Sequence, residues 1–167
     1  IHDVVTDTGI VQPDSLHLDI PATARVCAEF YGTFAERAAA EAAFLRRCGA
    51  AAAVSDLPPV AFEAAHLAGI PVLAHGNFTW DWIYEAYPEI REGAPHVIPT
   101  IRAAYARAGL ALRLPMWGGF EGWTCPIIDL PFVARHSTRD RDEVRAALGI
   151  APDRRMVLAS FGGLGIA

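Results

Sequence analysis

Lysine is missing altogether: every one of the 14 basic residues in this chain of 167 is arginine. Its absence excludes, within this stretch, a P-loop lysine, a pyridoxal Schiff base and a lysine nucleophile. Cysteine is scarce. Cys27, Cys48 and Cys125 are odd in number and show no C-x-x-C spacing, so they read as buried or free thiols of a reducing compartment rather than as a disulfide framework or a thiolate metal site. No apolar run approaches the roughly 18 residues of a membrane span, and no basic-then-apolar leader opens the chain, so a cytoplasmic location is expected. H-E-x-x-H and G-x-S-x-G are absent too, which counts against a zinc protease site and a hydrolase elbow. Neither a metal nor a resident cofactor is expected. The net charge of −5 argues against a nucleic-acid surface.

What is present is an ordinary globular composition under an alanine bias. Hydrophobic residues make up 53%, but 31 of them are alanine, and the remaining Val, Ile, Leu and aromatics suffice for one core. Short apolar runs alternate with Ala-rich helical stretches, the pattern of a parallel α/β sheet. Ile1–Thr6 is expected as a strand. A long helix is expected from Asp19, with Pro21 in its first turn and the stripe Ala24, Cys27, Tyr31, Phe34, Ala38, Ala42, Leu45, until Gly49 stops it. Further strands are expected at Ala50–Val54, Pro71–Ala74, Leu110–Leu114, Pro126–Val133 and Met156–Ser160. Helices are expected after Pro58–Pro59, over Asn77–Tyr87, Val97–Ala108 and Arg139–Leu148. The polar run Arg135–Glu143 is the expected boundary. It divides an amino-terminal domain, 1–136, from a segment, 137–167, that opens a second domain. The chain begins with Ile1 and ends just after a strand, so it reads as a fragment.

In an open parallel sheet, ligands bind beyond the carboxyl ends of the strands. The segments expected there are Asp7-Thr8-Gly9, Ser55-Asp56, His75-Gly76-Asn77, Trp117-Gly118-Gly119 and Phe161-Gly162-Gly163-Leu164-Gly165. Taken singly, each is compatible with plain turn chemistry. A lone Asp-Thr-Gly in an α/β chain lacks the second carboxylate that an aspartic protease requires. Asn77, the only asparagine, falls where a strand hands over to a helix, so an N-cap role alone would explain it. Aromatics at Phe78, Trp80, Trp82 and Tyr84 are too dense for one core face, so some should be exposed, where flat rings suit sugars or lipids. Trp117 and Trp123 repeat the theme. Gly162, Gly163 and Gly165 look like a phosphate-cradling turn.

The stretch Ser55-Asp56-Leu57-Pro58-Pro59-Val60-Ala61-Phe62-Glu63-Ala64-Ala65, followed by Ala68-Gly69-Ile70-Pro71-Val72 and Asn77-Phe78-Thr79-Trp80-Asp81-Trp82-Ile83-Tyr84, resembles the amino-terminal half of glycosyltransferase-like proteins of the GT-B fold. Among these are the domain ahead of the kinase in plant L-arabinokinase and, more remotely, the peptidoglycan N-acetylglucosaminyltransferase family. The resemblance implies a Rossmann-like parallel sheet with flanking helices, an incomplete GT-B domain whose first strand and Gly/His-rich loop would precede Ile1. It implies transfer of a sugar from a nucleoside-diphosphate sugar to a sugar, lipid-linked or small-molecule acceptor, with peripheral membrane contact allowed and no turnover by the fragment alone. By the same resemblance, His75 or Asp81 would orient the acceptor or act as base. Asp7, Asp56, Asn77, Trp80, Trp82, Trp117 and Trp123 would line the acceptor side, and Gly162, Gly163 and Gly165 would begin the donor phosphate cradle. Two other readings stand beside it: the same domain as the amino-terminal module of a sugar kinase, and a carbohydrate- or nucleotide-binding domain without turnover.

Overall fold

The computed structural model describes residues 2–159. Residues 2–19 have no helix or strand, so the strand expected over Ile1–Thr6 is not formed at 2–6. This segment has no strand partner among the described residues and is held by side chains instead. His2 stacks on Phe44 at 3.9 Å and lies 3.2 Å from Glu41. The backbone N–H of Val11 donates to the Thr23 hydroxyl at 3.0 Å.

The expected long helix is two helices, α1 (Ile20–Gly32) and α2 (Phe34–Arg47). Asp19 caps α1 by accepting from the Ala22 N–H at 2.8 Å. Thr33 makes the break: its hydroxyl donates to the Phe30 carbonyl at 3.1 Å and accepts from Arg37 Nε at 2.9 Å, competing with the helical ladder. The apolar stripe nonetheless continues across the break, with Cys27, Tyr31, Phe34, Ala38 and Ala42 all buried. Gly49, at φ +63°, supplies the left-handed residue that ends α2.

Four strands follow, β1 (Ala53–Ser55), β2 (Val72–Phe78), β3 (Leu110–Gly118) and β4 (Ile127–Asp129), joined in the order β1-β2-β3-β4 with every pair parallel. The chain is therefore an α/β domain with a Rossmann-like parallel sheet, as the alternation of elements predicts. The first crossover carries α3 (Pro59–Ala68). The second carries α4 (Trp80–Glu85), α5 (Pro88–Gly93) and α6 (Val97–Tyr105). Right-handed crossovers in a strand order that never reverses keep their helices on one face of the sheet. Burial follows that rule. Val72, Ala74, Gly76 and Ala111 are covered, while their neighbours Leu73, His75, Leu110 and Leu112 are only half-buried and Val54 and Ile128 are exposed. Phe62, Leu57, Tyr84, Ile90, Ile101 and Phe120 fill the covered side.

The boundary between β2 and α4 falls later than expected. The β2 strand runs on through His75, Gly76 and Asn77, so Asn77 is a strand residue and not an N-cap; the residue before α4 is Thr79. Pairing with β3 shifts register between Gly76 and Phe78: β3 spends residues 114–117 where β2 spends Asn77 alone, so the irregularity lies on β3 opposite Asn77. Beyond β4 the chain is exposed through residues 131–143 and carries one helix, α7 (Arg141–Ala147), capped by Asp140 accepting from the Asp142 and Glu143 N–H groups. The strand expected at Met156–Ser160 is absent at 156–159: these residues pair with no described strand, and Val157 is 90% exposed. Ser160 lies outside the described residues.

Candidate functional site

A strained turn organises the carboxyl end of β1. Leu57 is buried yet adopts φ +66°, a region that leucine rarely enters and that marks functional or over-determined positions. Two contacts hold it there. The Tyr105 hydroxyl donates to the Leu57 carbonyl at 2.8 Å, and the Leu57 side chain lies over Gly76. A Cβ at Gly76 would sit 2.5 Å from Leu57 Cδ1 and 3.2 Å from Asp56 Oδ1, so β2 needs glycine where this turn crosses it. The turn thereby sets Asp56 at the end of β1.

Asp7 approaches the same end from the amino-terminal segment. Burial, and secondarily the charge of Asp56, push its carboxyl above the usual carboxylate range, while the Trp80 indole N–H donates to it and pulls the other way. Trp80 stacks on Tyr84 at 5.3 Å. The Tyr84 hydroxyl donates to the Gly9 carbonyl at 2.9 Å and meets the Thr8 hydroxyl at the same distance. Asp7, Asp56 and Trp80 thus form one cluster beyond β1 and β2. Burial also raises the phenol pKa of Tyr84 and of Tyr105 well beyond the ordinary range, so neither is a base at neutral pH.

A second assembly lies between α4, α6 and the β3–β4 connection. It is a cavity of about 150 Å³ whose wall includes Asp81, Arg102, Tyr105, Gly122, Trp123 and Thr124. Asp81 Oδ2 accepts from Arg102 Nε at 3.0 Å, and Arg102 reaches on to Glu85 at 2.7 Å. Asp81 Oδ1 is buried and has no hydrogen-bond partner among the described residues. Thr79 ties the connection down, donating through its hydroxyl to the Gly119 carbonyl at 3.0 Å and through its N–H to the Gly118 carbonyl at 3.1 Å. The close approach requires glycine: Gly119 has φ +87°, and a Cβ there would come within 2.1 Å of Thr79 Oγ1.

The other sequence-predicted residues scatter. His75 alternates with the buried Ala74 and Gly76, beside Leu112, and so occupies the face of the sheet opposite the helices and Asp81. The two candidate catalytic residues are not brought together. Trp82 is exposed and lies over Gly118, where a Cβ would meet its ring at 2.8 Å. Trp117 is exposed beneath the Arg113 guanidinium, 3.9 Å from its ring centre, and Arg113 is held by Asp129 at 2.7 Å. Asn77 is half-buried opposite the irregular stretch of β3. Gly162, Gly163 and Gly165 lie outside the described residues. Sequence reasoning missed Arg102, Tyr105, Gly122 and Thr124. Arg102 and Tyr105 carry the ordinary spacing of a surface helix, and Gly122 and Thr124 that of a loop, so no signal in the sequence distinguishes them. Among the described residues, no group of three or more His, Cys, Asp or Glu is placed to hold a metal ion, and no helix is long and apolar enough to cross a membrane.

Fold and site together define a Rossmann-like α/β domain with carboxylates and aromatic rings at its strand ends and a small polar-aromatic cavity beside them. The chain is similar to L-arabinokinase of Arabidopsis thaliana, with 36% identity over 166 residues, which is 98% of this chain and 16% of that protein. The chain thus spans about one sixth of the length of the curated relative it matches. No family model matches it, and no solved structure does.

Proposed function

We propose that the chain is the sugar-recognising module of a larger sugar kinase of the L-arabinokinase kind, holding carbohydrate while phosphoryl transfer is carried out elsewhere in the protein. The observation that carries this reading is the 36% identity to L-arabinokinase, which extends over 98% of the chain rather than over one motif. The residues are in keeping with it. No lysine is available to steady a transferring phosphate, whereas carboxylates and indole rings, the side chains that suit hydroxyls and the apolar faces of sugars, collect at one end. The test is to incubate the intact protein with ATP and free pentoses and hexoses. ATP-dependent phosphorylation of a free sugar is the expected result, and its absence with every sugar overturns the reading.

Glycosyl transfer is the second reading, supported by the GT-B-like stretch 55–84 and by Asp7. An acceptor hydroxyl attacking an anomeric carbon must lose its proton to a base, and a carboxylate whose pKa is raised is better matched to that task than an ordinary one. On this reading the partners are a nucleoside-diphosphate sugar and a hydroxyl acceptor. Sugar transferred from a labelled nucleoside-diphosphate sugar, with none phosphorylated by ATP, would favour it. Binding of sugar or nucleotide with neither reaction would favour a domain that binds without turnover.

A further inference from the structure

We infer that Tyr105, on α6, is a positioning residue of the strand-end cluster: its hydroxyl fixes the Asp56 turn and Trp80, and through Trp80 also Asp7, in the attitude that sugar binding uses. The inference rests on the sugar-recognising reading and adds which buried group organises the cluster in advance. Asp56, Trp80 and Asp7 come from three separate parts of the chain: the turn after β1, the first residue of α4 and the amino-terminal segment. The Tyr105 hydroxyl reaches two of them. It donates to the carbonyl of Leu57, the residue after Asp56, at 2.8 Å, and accepts from the Trp80 backbone N–H at 3.3 Å. Trp80 in turn donates through its indole N–H to Asp7, whose carboxyl also feels the charge of Asp56.

Neither end of this link is held by local structure. Leu57 keeps φ +66° in a buried setting, a conformation that leucine adopts only where its surroundings enforce it. The Trp80 N–H opens α4 and so has no intrahelical acceptor, and Thr79 before it makes no side-chain cap. One phenol from α6 serves both, 48 residues from Leu57 and 25 from Trp80. The ring is itself immobilised. It meets Phe62 edge-on at 5.2 Å and Trp123 at 5.1 Å, and Tyr105 is 4% exposed. Tyr105 therefore touches no ligand and acts only through the groups it fixes. A packed residue of this kind holds a recognition surface in one geometry before the ligand arrives, which cuts the ordering cost of binding. Gly76 supports the same turn from the other side, since a Cβ there would press on Leu57 Cδ1 at 2.5 Å.

Tyr105→Phe in the intact protein removes the hydroxyl and keeps the ring. Titrated with free L-arabinose and free D-glucose by calorimetry, it is expected to bind the preferred sugar about tenfold more weakly. In ATP-dependent phosphorylation the KM for that sugar rises to match, while kcat and the KM for ATP stay at their wild-type values. Phe62→Leu is the control for stability alone: it loosens the packing around Tyr105 but keeps the hydroxyl and its partners. Its melting temperature is expected to fall and its sugar affinity to hold. Unchanged affinity in folded Tyr105→Phe overturns the inference, and so does an equal loss in Phe62→Leu. Should Tyr105→Phe fail to fold, Gly76→Ala displaces the Leu57 turn with the phenol intact, and unchanged affinity there overturns the inference. A wild-type protein that binds neither sugar overturns the sugar-recognising reading and the inference with it. Sugar bound by wild type and weakened by Tyr105→Phe, without phosphorylation, removes only the kinase assignment.

Discussion

Asp7 sits where electrostatics and architecture meet. Its folded-state pKa is raised, chiefly by burial, so the native state holds this proton more tightly than the unfolded chain does. A raised carboxyl favours folding fully below the ordinary value of 3.8, and that contribution is lost as pH climbs through the elevated folded value. Asp7→Asn is therefore expected to raise the melting temperature at neutral pH, with the gain disappearing in acid below the ordinary carboxylate range; thermal melts at the two pH values check it. Tyr84 carries a different kind of weight. Its hydroxyl serves the Gly9 carbonyl and Thr8 in a buried setting, so Tyr84→Phe is expected to cost about 1–3 kcal/mol in urea unfolding, the usual penalty of stranding a buried acceptor. Asp56 was expected at the end of β1 and lies there, whereas Asp7 was placed at the rim by a strand over Ile1–Thr6 that does not form, and reaches the same end from an irregular segment instead. The turn at Leu57 was not legible. Its left-handed backbone is enforced by Tyr105 and Gly76, two residues distant in sequence, and the prolines after it would by themselves have favoured an extended conformation.

Capping decides several boundaries at the scale of single elements. Asp19 satisfies the Ala22 N–H at the start of α1, and Asp19→Ala is expected to lower stability by about 1 kcal/mol, measured by chemical denaturation. Asn77 makes the contrast. It lies inside β2 and leaves the cap position of α4 to Thr79, so Asn77→Ala is expected to fall short of that cost. Helices and strands were readable from periodicity where one face is apolar, as in the stripe from Cys27 to Ala42. The break at Thr33 was not, because the stripe keeps its three-and-four spacing across it and only the competing bonds of the Thr33 side chain reveal the interruption. The strands expected at 1–6 and 156–160 have suitable compositions, but a strand exists only where a neighbour completes its ladder, and composition does not record neighbours.

The molecule as a whole is asymmetric. A strand order without reversal places its crossover helices on one side, and the other side presents Val54, Leu73, His75, Leu110, Leu112 and Ile128 with little cover. Parallel sheets are ordinarily buried on both faces, and the apolar character of these positions follows that habit although the described residues leave them open. Their removal should accordingly cost the chain little: Val54→Ser and Ile128→Ser are each expected to shift stability by no more than about 0.5 kcal/mol, in the range of surface substitutions. The sheet and its parallel sense followed from the alternation of elements. The cavity did not, because it is assembled from α4, α6 and the β3–β4 connection, whose juxtaposition depends on the tertiary fold. Hydrogen–deuterium exchange on the intact protein, with and without free L-arabinose, tests the proposed sugar-recognising role most directly. Slowed exchange within residues 2–159 is the predicted result; no protection anywhere in this chain would contradict it.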